Sequence, residues 1–148
     1  MEQALVFSLG SEHCALQVTH IQEVVESPPF YYIPLAPAVV PGAINFHGNI
    51  LPVIDLPVHF GISGTRRDRR IIVMAAALCK LALTVTNVRR IVLLDPDELT
   101  AASSEGPLAD LSRAAFTVDG TIINLLDAPK LVAGLEKIGL STGGDHGG

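Results

Sequence analysis

The run Gly48-Asn49-Ile50-Leu51-Pro52-Val53-Ile54-Asp55-Leu56-Pro57 is written a second time, in altered form, as Gly120-Thr121-Ile122-Ile123-Asn124-Leu125-Leu126-Asp127-Ala128-Pro129. Each copy opens on Gly, which accepts a turn with φ > 0. Each continues in a short apolar run bounded by turn residues, the signature of a buried strand rather than a helix. Each then reaches an Asp able to cap a helix, with Pro two positions later, where the first turn tolerates it. Turn, core strand and capped helix start therefore occur twice, and the chain is organised around the pair.

Working outward from the motif, a second repeat emerges. At a shift of 67 residues, Ala15-Leu16-x-Val18-Thr19-x-Ile21-x-x-Val24-Val25 falls on Ala82-Leu83-x-Val85-Thr86-x-Val88-x-x-Ile91-Val92, and Leu5-Val6-Phe7 falls on Ile72-Val73-Met74. The opening motif recurs at a shift of 72, so the second half holds about five more residues in its long connection. Two motifs in the same order at nearly one offset point to duplication. The expected architecture is mainly all-β: two similar small units of short antiparallel strands, packed face to face over a shared apolar core. Short helices follow each copy of the motif, the longer near the C-terminus.

The local pattern predicts strands over 5–9 and 15–19 with a turn between them, and an apolar continuation through Ile21, Val24 and Val25. Pro28, Pro29, Pro34, Pro37 and Pro41 keep the next stretch extended or turning. One helical turn is expected at 57–60, then a polar connection over 61–68. The cluster Arg66-Arg67-Asp68-Arg69-Arg70 reads as a solvated loop. Buried strands are expected over 71–77 and 82–86, with 88–94 a third or a continuation. Residues 101–115 carry no clear pattern. Helical spacing returns at 129–138, and the Gly-rich residues 141–148 read as a disordered tail after a single domain over 1–140.

Composition bounds the function. A chain of 148 residues buries about 68–70% of its unfolded surface and needs no staple. Hydrophobic residues make up 49% and charged ones 17%, which excludes disorder. The net charge of -5 argues against general binding to nucleic acid or acidic membranes. No signal peptide is legible, and the longest apolar run, 71–79, is too short to span a bilayer. Cys14 and Cys79, each in or beside a strand-like run, read as buried thiols of a cytoplasmic protein.

No residue set asks for catalysis. Asp55 and Asp127 come one per repeat, as paired catalytic aspartates would, but lack the Asp-Thr-Gly or Asp-Ser-Gly loop, so capping is the expected role. No Gly-x-Ser-x-Gly elbow and no glycine-rich phosphate loop is present. His47 stands between Phe46 and Gly48 with no second His or Cys at ligand spacing, so an interface role is expected and neither metal nor cofactor. His13 and His20 read as surface strand residues.

At this point the residues resemble a family. Leu5-Val-Phe-Ser-Leu-Gly10 opens like a CheW-like domain, the adaptor of bacterial chemosensory signalling. Ile21-x-Glu23-Val24, Pro34-x-Ala36-Pro37, Val40-x-Gly42-x-Ile44-Asn45, Gly48 and Pro52-Val-Ile-Asp-Leu56 with Phe60-Gly61 follow in the family's order. Asp119-Gly-x-Ile-Ile-Asn-Leu-Leu-Asp127 closes it. The resemblance covers about residues 4–138, and implies two packed five-stranded β-barrels around a hydrophobic core.

It further implies a non-enzymatic scaffold that binds the hairpin tip of a chemoreceptor's coiled coil and the regulatory domain of a CheA-type histidine kinase, with other CheW-like proteins as further partners. The receptor groove carried over comprises Ile21, Glu23, Gly42, Val85 and Val88, with His47 beside it. Such a groove would take apolar knobs of a helical hairpin. Each buried knob is worth about 1.5–3 kcal/mol, so a few anchors reach the roughly 8 kcal/mol of micromolar binding after association costs.

The chain also departs from the family. Where the family carries Asn-Leu-Arg-Gly, this chain has Asn45-Phe46-His47-Gly48. Pro57 and His59 occupy positions usually basic, and the 99–115 connection is short. Arg offers a fixed charge and a planar fork, whereas His offers fewer donors and a pH-dependent charge. An accessory CheW-like protein with weakened kinase coupling is the alternative implied.

Overall fold

The computed structural model describes residues 2–102 and 105–138, so the expectation for 141–148 lies outside the described residues. The first half contributes β1 (Glu2–Leu9), β2 (Glu12–Gln17), β3 (Ile21–Glu26), β4 (Gly42–Phe46), β5 (Asn49–Asp55) and α1 (Leu56–His59). The second contributes β6 (Arg70–Met74), β7 (Ala82–Thr84), β8 (Asn87–Leu94), β9 (Ser112–Val118), β10 (Thr121–Leu126) and α2 (Ala128–Glu136). Strand for strand and helix for helix, the second set repeats the first.

The ten strands form two curled five-stranded sheets, with orders β8-β1-β2-β10-β9 and β3-β6-β7-β5-β4. Replacing every strand in the first order by its repeat gives the second. Each sheet therefore draws strands from both halves, which corrects the expectation that each repeat is a unit of its own. The exchange occurs at two equivalent crossovers. After β2 a 3-10 turn at Val18–His20 carries the chain from the first sheet into the second, and residues 85–86 carry it back after β7. His20 thus lies in a turn, not a strand. Neither sheet is wholly antiparallel either: β10 runs parallel to β2, and β5 parallel to β7. Joining a parallel pair takes a long connection, which the interleaving supplies.

Alternation along the strands builds three apolar clusters. In β1, Ala4 and Val6 join Ala15, Leu94, Phe116, Ile123 and Leu125 inside the first sheet's curl. Leu5, Phe7 and Leu9, on the opposite face, join Ile54, Leu56, Ile72 and Leu83 between the sheets. Leu51, Val53, Ile71 and Val73 fill the second curl with Ile44. A strand buried on both faces reads as a continuous apolar run, as β1 and β6 do. Helix α2 lays Leu131, Val132 and Leu135 on the shared cluster.

Both copies of the motif fold as expected. Asp55 Oδ1 accepts from Val58 N, and Asp127 Oδ1 from Lys130 N, each at 3.1 Å, with Pro inside the first turn. The preceding hairpins share one turn: His47 and Gly48 have φ of 51° and 87°, Asp119 and Gly120 50° and 79°. Two consecutive left-handed residues make the type I′ turn that suits a twisted hairpin.

Two boundaries differ from expectation. The strand expected over 71–77 ends at Met74, because Ala75 closes a turn by accepting from the amides of Leu78 and Cys79, and small alanines tolerate the exposure. The unassigned 101–115 stretch contains the start of β9, whose Ala115 exchanges backbone hydrogen bonds with Thr100.

Candidate partner-binding site

The curl of the second sheet brings its two edge strands together, and Glu23 on β3 meets His47 at the tip of the β4–β5 hairpin. Glu23 Oε1 and His47 Nε2 lie 3.5 Å apart, with the side chains 50% and 72% exposed. The His47 ring also packs edge-on against Phe46, centroids 4.4 Å apart. An ion pair this exposed adds little stability. Its interest is that it holds a titratable, accessible donor and acceptor at the seam.

Gly42 opens β4 and is buried. A Cβ built there would lie 2.8 Å from the backbone oxygen of Tyr31 and 3.4 Å from Phe30 Cβ, so the close approach of the 30–31 segment requires glycine. Tyr31 exchanges backbone hydrogen bonds with Ala43, the counterpart of the Thr100–Ala115 exchange in the second half.

Ile21, Val85 and Val88 come together in the shared cluster between the sheets. Val85 is fully buried and Val88 nearly so. Of the six residues singled out, Glu23 and His47 stand at the surface in contact, while Ile21, Val85 and Val88 belong to the core between the sheets.

Sequence reasoning missed the residues that hold Val85 and Val88 in place. Asp68 donates its backbone N–H to Val85 O at 2.9 Å and accepts from Val88 N on Oδ2 at 2.7 Å. Arg70 pairs with Asp68 at 2.9 Å and donates to Val88 O at 2.9 Å. Burial opposes ionisation of Asp68, but the Arg70 guanidinium and the amides of Arg70 and Val88 outweigh it and hold the carboxyl at about 2. Arg67 donates Nε to both oxygens of the capping Asp55 at 3.0 Å, and Nη1 to Thr65. Arg67 and Arg70 thus form a structural brace, while Arg66 and Arg69 stay exposed as in the solvated loop expected. Its signal in sequence was the Asp at its centre, placed to accept from the arginine two residues on.

Both thiols are buried as expected. Burial, helped by Glu12, pushes the Cys14 thiol up; burial, helped by Glu136, pushes Cys79 up to about 11. Among the described residues, no group of three or more His, Cys, Asp or Glu is placed to hold a metal ion, and no helix is long and apolar enough to cross a membrane.

Comparison with known proteins agrees with this fold. The family described as the CheW-like domain matches residues 3–136. The chain is similar to the chemotaxis protein CheW of Thermotoga maritima, 24% identical over 131 residues that span 88% of this chain and 87% of the relative. It is also similar to the probable chemotaxis protein CheW of Rhizobium etli, 23% identical over 139 residues, 91% and 90% of the two chains. Among solved structures, the scaffolding protein TtCheW from Thermoanaerobacter tengcongensis superposes with a TM-score of 0.72 at 26% identity, covering 85% of this chain and 88% of that one. The chain therefore belongs to the CheW-like domain family.

Proposed function

We propose that this chain is a non-enzymatic adaptor of a bacterial chemosensory system, acting in the cytoplasm between chemoreceptor hairpin tips and the regulatory domain of a CheA-type histidine kinase. The observation that carries the reading is the near full-length family match, over residues 3–136, to a family whose curated members here are chemotaxis proteins. The receptor surface proposed is the seam at Glu23 and His47 together with Gly42. Ile21, Val85 and Val88, carried over with it, lie in the shared core between the sheets.

A second reading, an accessory adaptor that engages receptor but couples weakly to kinase, rests on the departures at His47, Pro57 and His59 and on the short 99–115 connection; at the receptor seam itself the departure is visible in one contact. His47 reaches Glu23 through a single exposed contact at 3.5 Å. The fork of an Arg at this position would offer two parallel donors. Mixing the protein with a receptor cytoplasmic hairpin and a kinase regulatory domain, separately and together, discriminates the two. Binding to both supports the adaptor, binding to receptor alone supports the accessory protein, and binding to neither sinks both. His47→Arg is expected to raise affinity for the receptor hairpin in titration calorimetry, and an unchanged affinity removes the seam from the site. Because Val88 lies in the shared core, Val88→Glu is expected to unfold the domain. A variant that folds normally yet fails to bind receptor would place Val88 in the contact surface instead.

A further inference from the structure

A cleft of about 420 Å³ opens at the mouth of the second curled sheet, between the β4–β5 hairpin and the turn joining β6 to β7. Its walls are Phe46, Leu51, Val73 and Met74, and its rim carries the side chains of Gln22, Asn49 and Lys80. The repeat explains why it exists. In the first sheet the corresponding connection, from β1 to β2, is the tight turn Gly10-Ser11, closed by the Leu9–Glu12 pair. Its counterpart in the second sheet runs from Met74 to Leu81, whose backbone oxygen accepts from Met74 N at 3.1 Å. The longer connection stands away from the hairpin and leaves the mouth open.

The lining has a distinct chemistry. Lys80 is the one charged residue among the lining residues, in a chain whose net charge is -5. Lys80, Gln22 and Asn49 line the cleft and make no side-chain hydrogen bond or ion pair with the described residues, so an ammonium and two amides border an apolar recess with donors to spare. Two carboxylates stand near the recess without lining it: Glu136 on α2, which acts on the Cys79 thiol, and Glu23, next to Gln22 on β3 and paired with His47. An apolar recess of this size with a few polar groups at its rim, in the mouth of a β-barrel, is the common form of a small-molecule site.

We propose that this cleft binds a small amphipathic carboxylate, a short acyl or aryl acid, with its apolar body against Phe46, Leu51, Val73 and Met74 and its carboxylate on Lys80, Gln22 and Asn49. The site goes beyond the adaptor reading and does not depend on it. It does adjoin the proposed receptor seam, because Phe46 is a wall of the cleft and the ring that packs on His47. An occupant thus touches the side chain that positions the seam.

Cys79 supplies the readout. It lines the cleft, whereas Cys14 is fully buried elsewhere in the shared core. The full chain is treated with N-ethylmaleimide, and the alkylation rate of Cys79 is followed by intact and peptide mass with octanoate or with 1-octanol. Octanoate is expected to slow alkylation of Cys79 at least about fivefold at saturation, with half-maximal protection at roughly tenfold lower concentration than 1-octanol, the margin expected of a charge-assisted contact. Lys80→Gln, an exposed change that leaves the fold intact, is expected to erase that margin while retaining the octanol response. Absence of protection by octanoate overturns the site. Equal protection by acid and alcohol, or an octanoate response unchanged in Lys80→Gln, overturns the carboxylate assignment.

Discussion

The two hairpin tips of the molecule occupy equivalent places in the repeat, and one carries a base where the other carries an acid. At the seam of the second sheet, Glu23 of β3 meets His47; at the seam of the first, Arg90 of β8 meets Asp119, with Arg90 Nη2 and Asp119 Oδ2 at 2.8 Å. Residue 90 is the repeat of 23, and 119 the repeat of 47, so acid has become base at one strand and base has become acid at one turn. The two turns share their left-handed φ values, whereas acid and base have changed places on the surface each presents. Duplication preserved what the core and the turn geometry demand and left the exposed positions free to diverge. Two ends of one scaffold can thereby address different partners.

That contrast between a shared frame and divergent surfaces can be broken or sharpened by paired substitutions. The largest effects belong to the frame. Ile54 and Leu126 are repeats of one another and both are buried between the sheets, so Ile54→Ala and Leu126→Ala should each cost about 2–5 kcal/mol in urea unfolding. A large difference between the two would show that the halves are not energetically equivalent. Gly42 and Ala114 come next. At Gly42 a Cβ meets a backbone oxygen that cannot rotate away, so Gly42→Ala should cost about 1–3 kcal/mol, while the reverse change Ala114→Gly should cost about 1 kcal/mol or less. If Gly42→Ala proves neutral, the 30–31 segment is free to withdraw.

The two caps give a smaller split. Asp127→Ala removes a helix cap alone and should cost about 1 kcal/mol. Asp55→Ala also strips Arg67 of both its Nε contacts, so about 2 kcal/mol is expected from the same thermal melts. Equal losses would mean that the Arg67 brace contributes nothing.

Asp68 has no acidic counterpart in the second half and sets an acid limit. Its carboxyl is held at about 2 against the ordinary 3.8, and its side chain is 8% exposed. A depressed carboxyl stabilises the fold above the ordinary value, and that stability is lost as pH falls through the folded value. Stability should therefore decline between about pH 4 and 2 by roughly 1–2 kcal/mol from this residue, after allowance for screening. Asp68→Asn should show less of that decline; an unchanged acid profile would place the acid sensitivity elsewhere.

The repeat, the capped strands and the class of fold could be read from the sequence because they rest on local rules: a Gly at a left-handed turn, an Asp before a helix, an apolar run between breakers. The interleaving was out of reach, because nothing in Val18 or Val85 says into which sheet the following strand goes. That choice is made by the packing of Leu5, Phe7 and Leu9 against Ile54 and Ile72 across the shared core. The contact between Glu23 and His47 was legible through their family positions. The Asp68 brace was not, because its partners at Val85 and Val88 lie 17 and 20 residues away and bond through backbone atoms that leave no trace in composition.

The exchanged crossovers also dictate an order of events for a growing chain. In the second sheet β3 and β5 are separated by β6 and β7, so the strands of the first half have no common partner until residue 84 has emerged. The first sheet waits longer still, since β10 must reach Leu126 to pair with β2. Contacts of such sequence separation slow folding and leave early strands uncovered while synthesis proceeds. A cut within 61–68 would leave two pieces, each holding parts of both sheets, and their re-association would be the folding reaction itself.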